Sequence, residues 1–301
     1  MSARPREIIL LTGVNGQVGH ELARSLQGLG EVIQADRALL DLADVERARQ
    51  VVRDIKPTLI VNPAAYTAVD KAEEERALAM RLNAEAPAML AEEAARLGAA
   101  LLHYSTDYVF NGEKTGAYRE DDTTDPRNVY GASKLAGERA IAASGCAHLI
   151  LRTSWVYGTR GKNFLLTMLR LGEQRDRLSV VADQFGAPTW SRTIAELTAY
   201  IVAQSRGDSR EAQARQQWWQ QRSGVYHLCA SGATSWHGFA EAIFDDAALP
   251  RKPVVDAIPA ASYPTPAARP ANSRMCLDKL EQVFGLVPPD WRDALKLCVA
   301  H

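Results

Sequence analysis

The amino-terminal segment, an apolar run that ends in a glycine-rich loop, limits most strongly which folds are open to this chain. The run spans Glu7–Leu11, and the loop Thr12–Gly19 has glycines three residues apart at positions 13, 16 and 19. An amphipathic helical pattern begins at Val18. In a strand, loop and helix of this order, backbone amides and the helix N-terminus can surround a pyrophosphate. The segment predicts a nucleotide-binding site, although such a turn can also be purely structural.

Short apolar runs and helical patterns alternate along the rest of the chain. The pattern predicts strands at 31–34, 58–61, 100–104 and 148–151, and helices at 44–55, 69–97 and from 129 onward. This alternation is typical of an α/β fold with a doubly wound parallel sheet. Pro87 predicts a kink or a break in the long helical pattern, because proline has no backbone N–H. The four prolines of Ala257–Ala271 predict a loop without regular structure.

A chain of 301 residues is long enough for one α/β domain and a smaller second one. We expect a Rossmann-type doubly wound parallel sheet with a smaller C-terminal α/β substrate-binding domain. Residues 1–155, with returning segments at about 183–222, are assigned to the dinucleotide-binding domain. Residues at about 156–182 and 223–301 are assigned to the substrate-binding region. The polar segment Gln204–Arg222 is expected to be a surface helix or loop in which Trp218 and Trp219 pack locally.

Composition and charge narrow the partners and the location. Lys and Arg number 35 and Asp and Glu 36, so the formal net charge of −1 gives no electrostatic basis for binding nucleic acid or an anionic membrane. The run Ile8–Leu11 is far too short to span a bilayer, and no signal-peptide pattern precedes it. The cysteines at 146, 229, 276 and 298 form no Cys-x-x-Cys pair, so we expect reduced thiols in a cytoplasmic protein.

Two residues that follow the second predicted strand bear on the choice of cofactor. Asp36 can accept hydrogen bonds from an adenine ribose, which favours NADH. Arg37 can pair with a 2′-phosphate, which favours NADPH. The sequence leaves both alternatives open. Asp41 and Asp44, a few residues later, also suit a plain turn and a helix cap.

Tyr130 and Lys134 lie four residues apart in the predicted helix that begins at Val129. Positions four apart share one helix face, so the two side chains are expected to project side by side. A neighbouring ammonium lowers the pKa of a phenol, and a phenol so tuned can act as a general acid or base. An ordinary exposed Tyr–Lys pair has the same spacing. Upstream, Thr106 follows a predicted strand, where its hydroxyl can hold a carbonyl oxygen of a substrate.

Other polar residues have a role either at the site or in the local structure. Asn83 lies within a helical pattern, where it either faces the site or forms local hydrogen bonds. Asn163 suits the cap of the helix that follows it. Arg269 and Arg274 flank the end of the proline-rich loop and can meet a phosphate.

Longer motifs connect these features to a known family. They are VNPAAYTAVDKAE at 61–73, STDYVF at 105–110, RTSWVYG at 152–158, DQFGAPT at 183–189 and PTPAARP at 264–270. Together with the glycine loop and the Tyr-x-x-x-Lys pair, they resemble the extended short-chain dehydrogenase/reductase family and, within it, the dTDP-4-dehydrorhamnose reductases. The resemblance implies that Tyr130 is the proton carrier, Lys134 lowers its pKa and holds the nicotinamide ribose, and Thr106 binds the substrate oxygen.

The resemblance also implies a reaction and a set of contacts. NADPH, or NADH in its place, would deliver hydride to C4 of dTDP-4-dehydro-L-rhamnose in the last step of dTDP-L-rhamnose synthesis, which supplies lipopolysaccharide O-antigen or cell-wall polysaccharide. The residues assigned to the cofactor are Gly13, Gly16, Gln17, Val18, Gly19, Asp36, Arg37, Asp41, Leu42, Ala64, Ala65, Tyr66, Thr67, Tyr104, Tyr130 and Lys134. Those assigned to the substrate are Thr106, Asp107, Tyr108, Trp155, Asn163 and Arg269.

The chain departs from this family at a metal site. Some members form dimers bridged by Mg²⁺ through three glutamates, and Glu21 matches one of them. The other two positions align with Arg192 and Arg292, and a guanidinium cannot bind a cation. We therefore assign no metal ligands, leave Mg²⁺ open, and expect a monomer or a weak homodimer.

The sequence has to be weighed against other functions of related proteins. Related sugar-nucleotide dehydratases have Thr-Asp-Glu where this chain has Tyr108 in the third position, which argues against dehydration. A non-catalytic regulatory subunit similar to the β subunit of methionine adenosyltransferase would keep the nucleotide fold, but the intact Thr106, Tyr130 and Lys134 favour an enzyme. A reductase or epimerase for another sugar nucleotide has the same fold, and loop residues decide between them.

Overall fold

The structure, a computed structural model, describes residues 7–207, 212–247 and 251–300. The strands in chain order are β1 (Ile8–Leu11), β2 (Glu31–Gln34), β3 (Leu59–Asn62), β4 (Ala100–Thr106), β5 (Ala147–Thr153), β6 (Val156–Tyr157), β7 (Arg177–Val181), β8 (Phe185–Gly186), β9 (Thr189–Trp190), β10 (Gly224–His227), β11 (Thr234–Ser235) and β12 (Val254–Ile258).

The helices are α1 (Gln17–Ser25), α2 (Val45–Ile55), α3 (Val69–Ala72), α4 (Arg76–Met80), α5 (Ala86–Leu97), α6 (Val129–Ala143), α7 (Phe164–Gln174), α8 (Ser191–Gln204), α9 (Ala212–Gln221), α10 (Trp236–Asp246), α11 (Asp278–Phe284) and α12 (Trp291–Val299). A π-helical turn, Arg81–Glu85, joins α4 to α5, and short 3₁₀ turns follow β4 and β12.

The core of the fold is a six-stranded sheet in the order β10-β5-β4-β3-β1-β2, and every pairing in it is parallel. Alternate residues of a strand point to opposite faces, so a buried parallel strand needs apolar cover on both sides. Ile9 and Leu11 lie in one core cluster with residues of α1, α8, α9 and α11. Leu10 lies in the other cluster with residues of α2, α5 and α6. This confirms the predicted Rossmann-type, doubly wound parallel sheet.

A separate apolar core lies in the part of the chain that follows β5. It brings together Tyr157, residues of α7 and β7, and residues of α10 and α12, with Phe239 fully buried. The strand pairs β7–β12 and β6–β9 are parallel, and β8–β11 is antiparallel.

The structure corrects the predicted boundary at residue 223. Gly224–His227 pairs with β5 in the main sheet, and Leu280 and Phe284 of α11 pack into the same core as α1. Both segments were assigned to the substrate-binding region. A short apolar strand has the same sequence pattern in either place, so the pattern alone did not identify its partner.

One local prediction changes, and another, the break of the helical pattern near Pro87, is confirmed. Val254–Ile258 is a strand paired with β7, so the proline-rich segment begins in regular structure and only its remainder is irregular. The long helical pattern is interrupted by the π-helical turn immediately before Pro87, which lies in the first turn of α5. Proline is tolerated there because the first N–H groups of a helix have no partner within it.

The predicted surface segment Gln204–Arg222 contains α9, and its residues 208–211 lie outside the described part of the chain. Trp219 is buried in the core, and Trp218 packs against Phe284 and Arg222, so the two tryptophans pack locally as expected. Among the residues that the structure describes, no helix combines the length and the apolar composition needed to cross a membrane.

Candidate active site

A cleft of about 800 Å³ opens along the carboxyl ends of the parallel strands, where ligands bind in open α/β sheets. It is lined by the glycine loop, by the segments that follow β2, β3, β4 and β5, and by the start of α6. Its polar and catalytic candidates are Asp36, Arg37, Asp41, Thr67, Ser105, Thr106, Asp107, Tyr108, Tyr130, Lys134, Thr153, Ser154 and Lys162.

The glycine loop is shaped for a close approach of backbone to ligand. Gly13 has a φ of +57°, and a Cβ there would meet the backbone of Ala64 at 2.8 Å. A Cβ on Gly19 would lie 2.1 Å from the Gly13 carbonyl oxygen, so larger residues cannot fit. Helix α1 begins at Gln17 and has no side-chain cap. Its first N–H groups point toward the cleft end of the helix and suit a phosphate.

The segment after β2 places Asp36 and Arg37, the two residues that bear on the choice of cofactor, in different surroundings. Asp36 Oδ1 accepts hydrogen bonds from the backbone N–H groups of Ala38 and Leu39, both at 3.0 Å, and so forms the turn. Arg37 is exposed in the cleft lining and has no side-chain hydrogen bond or ion pair with any residue of the described ranges. Asp41 accepts from Ala43 N–H, and Asp44 caps α2.

The segment after β3 brings Ala64, Ala65 and Thr67 into the cleft lining, but not Tyr66. The Tyr66 hydroxyl donates to Glu75 at 2.6 Å, and that hydrogen bond raises the pKa of Tyr66 to about 12. Its backbone N–H and carbonyl are both bonded to the Asn83 side chain. Of the residues assigned to the cofactor, Tyr66 is the one that does not line the cleft.

Asn83, in the π-helical turn, connects distant segments, so its hydrogen bonds are not local ones. Besides Tyr66, it donates to Ser133 Oγ at 2.9 Å, and Ser133 in turn donates to the Tyr130 carbonyl. The loop after β3 is thereby tied to the first turn of α6. A π-helical turn often occurs at such functional positions.

Tyr130 lies in the first turn of α6, which Asn128 caps by accepting from Gly131 N–H at 2.7 Å. A Cβ on Gly131 would lie 2.1 Å from the Tyr108 carbonyl oxygen, so glycine permits α6 to start against Tyr108. The rings of Tyr108 and Tyr130 meet edge to face at 5.5 Å. Burial, aided by the Asp107 charge, raises the pKa of Tyr130 to about 12, while a hydrogen bond with Thr106 opposes this.

Lys134 is almost fully buried one turn further along α6. Its Nζ donates to the Tyr104 carbonyl at 2.6 Å and lies 3.0 Å from His103 Nε2. Burial lowers the pKa of Lys134 to about 7, against the opposing attraction of Glu138. Burial of the phenol is the largest influence on its pKa, so the net shift of Tyr130 is upward, and the predicted effect of Lys134 on it stays a prediction.

Thr106 and Asp107 end β4 at the cleft floor, and a third residue joins them. The Thr106 hydroxyl donates to Asp107 Oδ1 at 3.0 Å, and the Ser273 hydroxyl donates to Asp107 Oδ2. Burial raises the pKa of Asp107 to about 6, although both hydrogen bonds oppose the shift. Ser273 was missed in the sequence because it lies 166 residues from Asp107 and no short motif links them.

Two buried hydroxyls at strand ends have no hydrogen-bond partner within the described residues, namely Ser105 Oγ and Thr153 Oγ1. Both residues line the cleft. Buried polar groups are nearly always paired, so these hydroxyls indicate that a polar ligand completes the site.

Trp155 forms the far wall of the cleft in an unusual backbone conformation, with a φ of +48°. Its ring stacks on Trp236, with centroids 3.5 Å apart and planes at 7°. A Cβ on Gly186 would lie 2.7 Å from the Trp155 ring, so glycine makes room for it. Trp236 was not predicted, because the stacking partner comes from a different segment.

Two of the predicted substrate residues do not line the cleft directly. Asn163 caps α7 by accepting from Leu166 N–H, and its amide donates to Gln17 Oε1 at 2.9 Å. Arg269 pairs with Asp70 at 2.8 Å and lies over the Tyr108 ring.

The positions compared with a bridging metal site are engaged in ion pairs. Arg192 pairs with Glu196 at 2.9 Å, and Arg292 lies 3.4 Å from Asp246. Within the described ranges, no group of three or more His, Cys, Asp or Glu side chains is arranged to bind a metal ion.

Comparison with known proteins gives concordant results. The family model described as the RmlD substrate binding domain matches residues 7–301. The dTDP-4-dehydrorhamnose reductase of Burkholderia thailandensis is 50% identical over 298 residues, covering 97% of each chain. The enzyme of the same name from Escherichia coli K12 is 44% identical, over 96% of this chain and 95% of the relative.

A solved structure is similarly close. The dTDP-4-dehydrorhamnose reductase of Bacillus anthracis, crystallised in complex with NADP, superposes with a TM-score of 0.88 at 35% identity. The match covers 98% of this chain and 99% of that one. The chain therefore belongs to the dTDP-4-dehydrorhamnose reductase family.

Proposed function

We propose that this protein reduces the C4 ketone of dTDP-4-dehydro-L-rhamnose to dTDP-L-rhamnose, the last step of dTDP-rhamnose synthesis, with NADPH as the reductant. The observation that supports this best is the meeting of Thr106, Tyr130 and Lys134 at the strand ends of a cleft that the glycine loop also lines. The chain is 50% identical to a named reductase of this kind.

Ketone reduction leaves an alkoxide that needs a proton, and Tyr130 is suited to supply it. Its raised pKa of about 12 keeps the phenol protonated at neutral pH. The Thr106 hydroxyl, which shares a hydrogen bond with Tyr130, is assigned to the carbonyl oxygen. Lys134 is assigned to the ribose beside the reacting ring. A positioned acid of this type typically contributes a factor of about 10² to 10⁴ to the rate.

The residues of the cleft fit a dinucleotide. The α1 N-terminus and the close-packed glycines suit its pyrophosphate, and the orphaned Ser105 and Thr153 hydroxyls can bond to polar atoms of a ligand. When bound, the cofactor supplies the hydride. Asp36 already accepts two backbone N–H groups, whereas Arg37 is exposed with its donors uncommitted. We therefore assign Arg37 to a 2′-phosphate and prefer NADPH to NADH.

On the substrate side, the assignment keeps Thr106, Asp107, Tyr108, Trp155, Asn163 and Arg269. The Trp155 ring offers an apolar face in the cleft wall, and the Arg269 guanidinium lies over the Tyr108 ring. Asn163 acts through Gln17, which lines the cleft. A cytoplasmic location, a monomer or weak homodimer, and a role in supplying surface polysaccharide remain predictions.

The test is NADPH oxidation followed by absorbance, with dTDP-4-dehydro-L-rhamnose formed in situ from dTDP-glucose by the upstream enzymes. Substrate-dependent oxidation that yields dTDP-L-rhamnose is expected. A folded sample that binds NADPH but oxidises none of it would contradict the proposal and favour the regulatory-subunit alternative or another sugar substrate.

The cofactor assignment has its own test in Arg37→Ala. Loss of a charge-assisted hydrogen bond should raise the Kd for NADPH about tenfold or more and leave the Kd for NADH unchanged. Arg47→Ala, which removes an exposed arginine of α2 outside the cleft, is the matched control. Equal losses for both nucleotides would remove Arg37 from 2′-phosphate recognition.

A further inference from the structure

A chain of buried hydrogen bonds runs from Lys134 into the sheet and is not used by the reaction described above. Lys134 Nζ lies 3.0 Å from His103 Nε2, and Asn62 Nδ2 lies 3.0 Å from His103 Nδ1. The Thr12 hydroxyl donates to Asn62 Oδ1 at 2.6 Å. The chain crosses β4, β3 and the end of β1, and the four side chains are at most 2% exposed.

The donors in this chain fix the position of the imidazole proton. Because Thr12 donates to Asn62 Oδ1, the Asn62 group facing His103 is the NH₂, which can only donate. His103 Nδ1 must therefore accept, and the single proton of a neutral imidazole lies on Nε2. Burial and the Lys134 charge hold the pKa of His103 well below its ordinary value, so the ring stays neutral.

An Nε2–H faces Lys134 and requires a lone pair there. A neutral amine has one, and it can still donate to the Tyr104 carbonyl at 2.6 Å. An ammonium has only donors, so two N–H groups would oppose each other in a buried site, which is unfavourable. The ammonium is accommodated only if the imidazole proton moves to Nδ1, Asn62 turns its oxygen to His103, and Thr12 accepts from the Asn62 NH₂.

We propose that His103, with Asn62 and Thr12, is a positioning residue that sets the charge of Lys134. In the observed direction the chain favours the neutral amine, and in the reversed direction it presents the His103 Nε2 lone pair to the ammonium. The inference deepens the proposed function and its kinetic part rests on it, because an ammonium at Lys134 is a stronger hydrogen-bond donor to a ribose than a neutral amine.

The other charged groups near Lys134 do not set its charge in the way that His103 does. On α6, Glu138 attracts the ammonium, but it is tied in a buried ion pair to Arg152 of β5 at 2.7 Å. From β4, only His103 and the Tyr104 carbonyl reach Nζ within the described residues. Tyr130 on the cleft side stays neutral because of its raised pKa. Among the described neighbours of Lys134, His103 is thus the one whose ring nitrogen facing Nζ can change from hydrogen-bond donor to acceptor.

The direct test is ¹⁵N NMR of the histidine side chains in the intact protein, with His103 assigned by the signals lost in His103→Gln. Above the Lys134 midpoint near neutral pH, Nε2 should be protonated and Nδ1 should accept. As the pH falls through that midpoint the two nitrogens should exchange these roles without imidazolium forming. An unchanged tautomer across the range, or an imidazolium, would overturn the proposal.

A variant provides the second readout. Asn62→Asp replaces the amide by a carboxylate that can only accept, so Thr12 and His103 Nδ1 both donate to it and His103 presents its Nε2 lone pair to Lys134. His103 should then show that tautomer at every pH, and the alkaline limb of kcat/KM should move up by about one pH unit or more. Asn83→Asp, a buried change in the neighbouring network, should leave the His103 tautomer as in the parent.

A failure of the proposed function and a failure of this inference can be told apart. Absence of ketone reduction would contradict the proposed function, whereas the NMR titration needs no turnover and decides the tautomer by itself. A kcat/KM limb that stays in place in Asn62→Asp, with the Nδ1–H tautomer observed, would show that His103 does not set the charge of Lys134.

Discussion

Burial acts in opposite directions on the two titratable side chains at the start of α6. It raises the pKa of Tyr130 to about 12 and lowers that of Lys134 to about 7. Both shifts favour the neutral form, because a low-dielectric site penalises charge of either sign. At neutral pH the phenol is therefore a proton donor, and the charge of the amine is decided by its immediate neighbours.

Removal of the Tyr130 hydroxyl tests its role as the acid. Tyr130→Phe should lower kcat about a hundredfold or more, in line with usual general-acid contributions, and leave the Kd for NADPH near that of the parent. Steady-state kinetics and fluorescence titration measure the two quantities. Tyr200→Phe, at an exposed tyrosine of α8, is the control. Full turnover in Tyr130→Phe would exclude the phenol as the proton donor.

The buried amine of Lys134 should also make stability depend on pH. Its pKa is about 7 in the folded chain and ordinarily 10.5, so the unfolded chain binds more protons between those values. The free energy of unfolding of the parent should therefore rise from about pH 7 to about pH 10 relative to a variant without this group. Lys134→Met should thus gain most over the parent below about pH 7, and urea unfolding at several pH values measures the difference.

The control for that series is Lys296→Met at an exposed lysine of α12, whose difference from the parent should not vary with pH. A difference between Lys134→Met and the parent that stays constant across this range would mean that Lys134 titrates as an ordinary lysine. The linkage argument would then be wrong.

Site residues that stand in short sequence motifs were predictable. Site residues that the packing of distant segments brings to the cleft were not. Tyr130, Lys134 and Thr106 stand in short motifs at a helix start and a strand end. Ser273 and Trp236 reach the site from segments far along the chain, and nothing local marks them. The upward shift of the Tyr130 pKa was not predictable for the same reason, because the degree of burial is a property of the packed structure.

Helix α6 packs unusually closely on the π-helical turn at its back. A Cβ on Gly137 would lie 2.2 Å from the Asn83 carbonyl oxygen, which is backbone and cannot turn aside. The same turn orients the Asn83 side chain toward Tyr66 and Ser133. Displacement of α6 at Gly137 should therefore disturb both the loop after β3 and the first turn of α6.

Gly137→Ala tests this packing. Overpacking should lower the free energy of unfolding by about 1–3 kcal/mol, even though alanine is the better helix former by about 1 kcal/mol. Denaturant unfolding measures it, and kcat should fall as well. Gly116→Ala, at a loop glycine with open space around its Cβ position, is the control. A stability equal to or above that of the parent would show that α6 is free to move back.

Element boundaries followed the local patterns, whereas strand neighbours did not. The second strand, Glu31–Gln34, lies where the sequence placed it, and the helix predicted at 44–55 is Val45–Ile55. The partner of Gly224–His227 and the strand within the proline-rich region depend on pairing with residues distant in sequence. Such pairing is set by tertiary packing, which short windows of sequence do not contain.

In the whole molecule, the cleft joins segments from both halves of the chain. The glycine loop, Thr106 and the start of α6 line it, and two later residues support that lining: Trp236 stacks on Trp155, and Ser273 donates to Asp107. A ligand in this cleft would therefore act on the later segments through Trp155 and Asp107. Binding should therefore stabilise the complete fold and not one region of it.

Ligand and metal dependence of global unfolding tests this arrangement. NADPH at about 100 times its Kd should add about 2.7 kcal/mol to the free energy of unfolding in a single transition, and NADH at the same concentration should add less if Arg37 binds a 2′-phosphate.

Because Arg192 and Arg292 are engaged in ion pairs where a bridging cation would need carboxylates, a chelator should change neither this stability nor turnover. Thermal and urea unfolding with and without EDTA measure both effects. A loss of stability or activity on chelation that Mg²⁺ restores would place a metal ion in the functional protein, and stabilisation confined to one of two separate transitions would show that the cleft does not couple the two regions.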